Sequence, residues 1–340
     1  MDWNVLGHEW AAEMLATHIA RGETRHAYLF AGPPGVGRRT LALRFAQALN
    51  CLEPPAPGMA CGTCRACRQI ERMQQADLSV VQALDDDGNP KEGGSLKIDQ
   101  FRDLQRSLSL APYESKYRIA LLLRCEEAGA PAQNAFLKTL EEPPARAVLL
   151  LTAVDSESLL PTIASRCEIL RLRPLPVPQL EEALQARWKL EAGEARKLAH
   201  LAGGRVGYAL RLHADPRLLQ NHSEWLDDLQ VLLGGSRRQR FGYVDREFKE
   251  NKDNREKLRR ALSAWLTYWH DVLLVSCGSS APLTNLEHAG QITRLARQLD
   301  PDFVRRRVSD LEEGIRRLDA NANVRLLAEV LLLDWPKINL

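Results

Sequence analysis

The stretch AYLFAGPPGVGRRTLALRF, Ala27 to Phe45, decides the fold. Its first five residues are an apolar run of strand length. Gly32, Gly35 and Gly37 follow, with Pro33 and Pro34 between them, and such a cluster makes a tight turn. Leu41, Leu43, Phe45, Ala46, Ala48 and Leu49 then lie in a stretch without Gly or Pro, which predicts a helix. Strand, glycine turn and helix in that order are the context of a phosphate-binding loop of pattern G-x-x-x-x-G-K-[ST]. Gly32 and Gly37 are in register with that pattern. Arg38 stands where lysine belongs and Arg39 where the hydroxyl belongs.

Both replacements matter chemically. Backbone N–H groups and the helix dipole can still face an anion. The motif's lysine is a compact point charge, and the longer, planar arginine is no equivalent. Arg39 has no hydroxyl for magnesium, and Thr40 lies about 100° further round the helix. A working site also needs acidic residues after a following strand. After YRIALLL (117–123) come Arg124 and Cys125, with Glu126 and Glu127 beyond as a displaced acidic pair. The candidate nucleotide residues Gly32, Gly35, Gly37, Arg38, Arg39 and Thr40 therefore form a degenerate loop, expected to be inactive in hydrolysis. Phosphate binding without turnover and an empty loop both stay open.

Further along, DDDGNPKEGGSLK (85–97) is a polar, glycine-rich loop and IDQFRDLQRSLSL an amphipathic helix with Phe101, Leu104 and Leu108 on one side. AQNAFLKTLEE (132–142) is a helix closed by Pro143 and Pro144. AVLLLTAV (147–154) and EILRLRPL are further strands. Alternating strands and helices predict an α/β domain with a mostly parallel sheet. Beyond Pro174 and Pro176 the chain reads as helical to its end. A small unit to about residue 212 precedes longer helices punctuated by Gly234–Gly235, SCGSSAP and Pro301.

The chain has 340 residues, 45% hydrophobic and 26% charged, with a formal net charge of +2, so strong electrostatic attraction to nucleic acid is not expected. The first residues lack a basic segment followed by an apolar run, and no apolar stretch is long enough to span a membrane. Seven cysteines are an odd number, which suits a reducing compartment. Cys51, Cys61, Cys64 and Cys67 are spaced C-x9-C-x2-C-x2-C, with Gly58 and Gly62 to allow tight turns. Four thiolates at such spacing suit a tetrahedral structural zinc, which leaves no open position for catalysis. Four free thiols and an iron–sulfur cluster are the alternatives. Cys125, Cys167 and Cys277 lack ligand spacing and read as small, partly buried side chains.

In combination, VLGHEWAAEML with HAYLFAGPPGVG, the four-cysteine module, KIDQFRDLQRSLSLAPYESKYRIALL, QNAFLKTLEEPP, LLPTIASRCEILRLRPL, WLTYWHDVLLV and NANVRLLAEVLLLDWP resemble one family over essentially the whole chain. It is the delta-prime family of the bacterial DNA polymerase III clamp loader, related to the gamma/tau ATPases. The resemblance implies an AAA+ α/β domain (1–174, zinc module about 51–67), a small helical lid (175–212) and an all-α collar domain (213–340). It implies a cytoplasmic stator that partners gamma/tau and delta subunits and, through the complex, the sliding clamp and primer–template DNA. No intrinsic polymerase or ATPase activity is expected. The S-R-C motif falls on Ser165, Arg166 and Cys167, which makes Arg166 a trans arginine finger for ATP on a neighbouring gamma/tau subunit. A gamma/tau-like motor with a divergent loop is the alternative, and a zinc-stapled nucleic-acid module a third.

Other residues carry weaker expectations. Lys138, Glu141 and Glu142 have the spacing of a surface ion set, and Asn134 sits near that helix's start as a cap, packing or subunit-contact residue. Arg205 falls where related lids place a sensor arginine, and Gly203–Gly204 reads as a loop or cap between helices. Trp265, Tyr268 and Trp269 form a packing stripe. RRQR (237–240) and Arg305, Arg306 and Arg307 read as solvated basic faces, with phosphate contact the alternative.

Overall fold

The computed structural model describes residues 3–85, 87–91, 93–248 and 254–338. Two compact units emerge, Met1–Leu175 with Arg205–Tyr208, and Pro176–Gly204 with Ala209–Leu340.

In the first unit the order is α1 (Glu9–Arg21), β1 (Ala27–Ala31), α2 (Arg38–Asn50), α3 (Arg65–Glu71), β2 (Leu78–Val81), α4 (Ile98–Leu108), β3 (Arg118–Leu122), α5 (Ala130–Glu141), β4 (Ala147–Ala153), α6 (Pro161–Ala164) and β5 (Glu168–Arg171). The strands form one sheet in the order β2-β3-β4-β1-β5, and every pairing is parallel. Leu29 aligns with Leu151 on one side and Ile169 on the other. β1 and β4 are buried along their whole length, as strands covered on both faces must be.

Side chains alternate across the sheet with period two. Tyr28, Phe30, Ile119, Leu121, Val148 and Leu150 point into a core with α1 and α2. Leu29, Ala120, Leu122, Leu149 and Leu151 point the other way, against Phe101 and Leu104 of α4 and Phe136 and Leu140 of α5. The predicted α4 face is thus the buried one. β2 lies at the sheet edge; its four residues, one of them serine, carry too little hydrophobic signal to be read beforehand. Pro90 and Leu96 of the predicted polar loop form isolated bridges to Leu84 and Ala128, while its Asp86 and Glu92 lie outside the described residues.

The second unit is helical: α7 (Val177–Trp188), α8 (Ala192–Ala202), α9 (Val206–Ala214, whose first turn belongs to the first unit), α10 (Pro216–Gly234), α11 (Arg237–Glu247), α12 (Asn254–Ser276), α13 (Ala289–Gln298), α14 (Pro301–Asp319) and α15 (Val324–Leu333). α12 runs through its core. Trp265, Tyr268 and Trp269 are fully buried there, as the stripe predicted. Trp265 donates its indole N–H to the Trp225 carbonyl at 2.8 Å, and Trp335 packs edge-on against it at 5.1 Å. Gly203 ends α8 at φ +55°, with Gly204 also left-handed, which confirms the cap.

Two expectations about this unit need correction. Arg240 is not on a solvated face: it is 4% exposed. Its guanidinium donates to the carbonyls of Leu232, Leu332, Trp335 and Pro336 at 2.9, 3.1, 2.6 and 2.7 Å. The C-terminal ends of α10 and α15 meet there, and their orphan carbonyls draw the cation inside. Arg307 is also drawn in, against Asp310 at 2.8 Å, whereas Arg305 and Arg306 stay at the surface. Cys277 is exposed rather than partly buried, because it follows the last residue of α12.

Candidate functional site

The glycine turn predicted from the sequence joins β1 to α2, and Gly37 is the N-cap of α2. Gly32 tolerates no side chain, since a Cβ there would lie 2.5 Å from the Leu172 carbonyl oxygen. Gly35, at φ +82°, is covered by Tyr208, whose Cβ and backbone nitrogen would sit 2.8 and 2.9 Å from an added Cβ. Gly207 donates its N–H to the Gly35 carbonyl at 2.8 Å. The tip of the turn is therefore packed against the first turn of α9, where Arg205 lies over the Tyr208 ring at 4.5 Å. His8 closes another side, with Nε2 2.9 Å from the Val36 carbonyl.

Arg38 opens α2 but does not reach outward. It is 8% exposed and its Nη1 lies 3.7 Å from Glu126 Oε1, an ion pair longer than a hydrogen bond. Burial pushes the Arg38 pKa down, opposed by Glu126, and burial pushes the Glu126 carboxyl up. Arg39 and Thr40 are both exposed. Arg124 adopts a left-handed backbone, φ +54°, with its N–H on Thr152 Oγ1 at 2.9 Å. Its Nε donates to Glu127 at 2.7 Å and its Nη2 to the Lys91 carbonyl at 2.7 Å. The two glutamates considered as a displaced acidic pair are thus each matched to an arginine.

Ser165, Arg166 and Cys167 form the turn between α6 and β5. Backbone bonds fix it: Ser165 N–H to the Pro161 carbonyl at 2.9 Å, Arg166 N–H to Ile163 at 3.1 Å. The Arg166 side chain is about one-third exposed. Its Nη1 donates to the Thr162 carbonyl at 2.9 Å and its Nη2 to Glu141 Oε1 at 2.8 Å. Sequence spacing offered Lys138 as the ion partner of Glu141 and Glu142. Among the described residues no ion pair joins them, and Arg166 holds Glu141 instead. That contact spans 25 positions and has no local signature. Cys167 is half-buried beside this turn, with its thiol pushed up to about 12 by burial. Asn134 is exposed; its neighbour Gln133 is the structural residue, donating to the Ala128 carbonyl and accepting the Leu160 N–H, both at 2.8 Å.

The four predicted ligands come together. Cys51 follows α2, Cys61 and Cys64 lie in the loop, and Cys67 is on α3. Their sulfurs lie within 4.8 Å of one another, and Cys61 and Cys67 are 4.0 Å apart. Zinc–sulfur bonds of about 2.3 Å set tetrahedral sulfurs about 3.8 Å apart, near the Cys61–Cys67 separation. Cys61 receives the Cys64 N–H at 3.2 Å and Cys51 the Cys61 N–H at 3.3 Å. Backbone donors from Cys64 and Thr63 hold the Cys61 thiol down at about 6, toward the thiolate a metal needs, whereas burial pushes the Cys51 and Cys67 thiols up. Gly58 and Gly62 take the positive φ values the turns demanded. The cluster can hold a metal ion, and its four-thiol donor set is consistent with zinc.

Among the described residues no helix is long and apolar enough to cross a membrane. Residues 7–176 match the family model described as DNA polymerase III, delta subunit. The chain is 28% identical over 94% of its length to the DNA polymerase III subunit delta' of Bacillus subtilis, of which it spans 94%. It is 35% identical over 60% of its length to the delta' subunit of Pseudomonas aeruginosa, spanning 60% of that protein. Against the tau subunit of Escherichia coli, identity is 34% over 60% of this chain, which spans 30% of tau.

Proposed function

Because the chain belongs to the DNA polymerase III delta subunit family, we propose that this clamp-loader subunit is a delta-prime-type stator. In this reading it assembles with gamma/tau and delta subunits, hydrolyses no ATP itself, and lends Arg166 to the ATP site of an adjacent gamma/tau subunit. Through the complex it helps to place the sliding clamp on primer–template DNA.

One contrast carries the reading. The chain's own phosphate loop is packed over by Gly207 and Tyr208, and its Arg38 turns in to Glu126. Arg166, by contrast, stands on a hydrogen-bonded turn with a third of its side chain exposed. Three of its five N–H donors serve bonds within the chain, to the Thr162 carbonyl, to Glu141 and, at 3.5 Å, to Ser165 Oγ. The remaining donors can meet phosphoryl oxygens supplied by a neighbour. A planar guanidinium matches those oxygens in pairs and neutralises the charge that builds on them as the γ-phosphoryl group transfers. Cys51, Cys61, Cys64 and Cys67 would hold a structural metal that ties the end of α2 to the start of α3.

The test is Arg166→Ala in a loader reconstituted from this chain with gamma/tau and delta subunits. An arginine finger is worth roughly 10³ to 10⁵ in turnover at the site it serves. Clamp- and DNA-stimulated ATP turnover should fall steeply with assembly intact. Unchanged turnover would refute the finger role. Magnesium-dependent turnover by this chain alone would instead favour a gamma/tau-like motor.

A further inference from the structure

The geometry points to Glu141 as the positioning residue that aims Arg166. This inference rests on the finger reading above and adds a second residue to it.

Glu141 is the last residue of α5 and is followed by Glu142, Pro143 and Pro144. The C-terminal end of a helix carries the negative pole of its dipole, so a carboxylate there draws a cation to it. Lys138 does not answer that demand. Arg166 arrives from the turn after α6 and places Nη2 2.8 Å from Glu141 Oε1. Its Nη1 is held at 2.9 Å by the Thr162 carbonyl. Two acceptors on different segments thus restrain the guanidinium at both of its terminal nitrogens.

Both acceptors are themselves fixed. Gln133, 7% exposed, receives the Leu160 N–H immediately before α6 and bonds the Ala128 carbonyl before α5. α5 and α6 are therefore tied at their starts. The turn carrying Arg166 is closed by the backbone bonds of Ser165, Arg166 and Cys167. A long arginine on a surface turn samples many rotamers, and ordering it is costly. Holding it at two points before the phosphate arrives removes that cost from the chemical step, which is how preorganised electrostatic groups act. Glu141 touches no reacting atom in this account and works only through Arg166.

The experiment uses the reconstituted loader with the sliding clamp and primed DNA, and compares Glu141→Gln, Glu141→Lys, Arg166→Ala and the two double variants. Melting temperature and complex assembly are measured on the same samples. Glu141→Gln keeps the shape and removes the charge. It should lower kcat for ATP roughly two- to fivefold, the range to which a partly exposed ion pair converts, and leave KM unchanged. Glu141→Lys, which repels the guanidinium, should lower kcat further. Neither change should have any effect in the Arg166→Ala background. Wild-type or raised turnover in Glu141→Gln, or a loss that persists without Arg166, overturns the positioning role. Wild-type turnover in Arg166→Ala overturns the finger and this inference together, whereas a loss there with none in Glu141→Gln overturns this inference alone.

Discussion

Arg240→Met should unlock the end of the helical unit. The substitution keeps most of the side-chain volume and removes the charge and every donor. Four hydrogen bonds go, to the carbonyls of Leu232, Leu332, Trp335 and Pro336. At about 1 kcal/mol net for each bond, the loss is about 4 kcal/mol. Two further effects oppose one another. The termini of α10 and α15 lose a cation near their negative poles, worth about 0.5 kcal/mol each. In return, no charge has to be desolvated, and that cost is visible in the Arg240 pKa, which burial pushes down with Arg237 adding to it. The expected sum stays near 4 kcal/mol, a large share of the roughly 5–15 kcal/mol that holds a domain together. The assay is urea unfolding followed by tryptophan fluorescence, since Trp335 lies 5.1 Å from Trp265 and 6.3 Å from Trp269. Amide exchange localises the change to α15 and the segment after it. Arg240→Lys should recover less than half of the loss, because three donors on one ammonium cannot span carbonyls from two helix ends. A loss below about 1 kcal/mol, the worth of a single hydrogen bond, would refute the assignment of Arg240 as a shared cap.

Two more predictions follow from the first unit. Metal analysis of the purified chain should find one zinc ion per chain, lost together with amide protection across residues 51–71 in Cys64→Ser; a metal-free chain with the same protection would contradict the site. Restoring the phosphate-loop residues in the double variant Arg38→Lys, Arg39→Thr should not create ATP binding in the isolated chain, because Tyr208 and Gly207 still cover Gly35. Magnesium-dependent binding tighter than about 1 mM, a gain of roughly 4 kcal/mol on the 1 M scale, would show that the two arginines alone close the loop.

The elements legible in the sequence were those with strong local patterns. The apolar runs of β1, β3 and β4 and the amphipathic face of α4 were each read within a residue or two, and so was the cysteine cluster, whose short spacings confine its ligands. β2 escaped because an edge strand of four residues needs little hydrophobic signal. RRQR misled because charge in a sequence looks the same whether water or helix carbonyls solvate it. The surface ion set misled for a related reason: Lys138 is the near neighbour along the helix, but α6 brings Arg166 closer in space.

The sequence by itself determined that this chain keeps a phosphate-loop framework while lacking its lysine, its hydroxyl and a well-placed acidic pair, because those are questions of residue type at fixed spacing. It also singled out Cys51, Cys61, Cys64 and Cys67, whose sulfurs lie within 4.8 Å of one another as a set that could hold a metal ion. Tertiary structure alone decided where the charges went. Arg38 turns in to Glu126, Tyr208 comes to rest on Gly35, and Arg166 meets Glu141. Each is a contact between segments far apart in the chain, and its energy depends on burial and distance that no local pattern encodes.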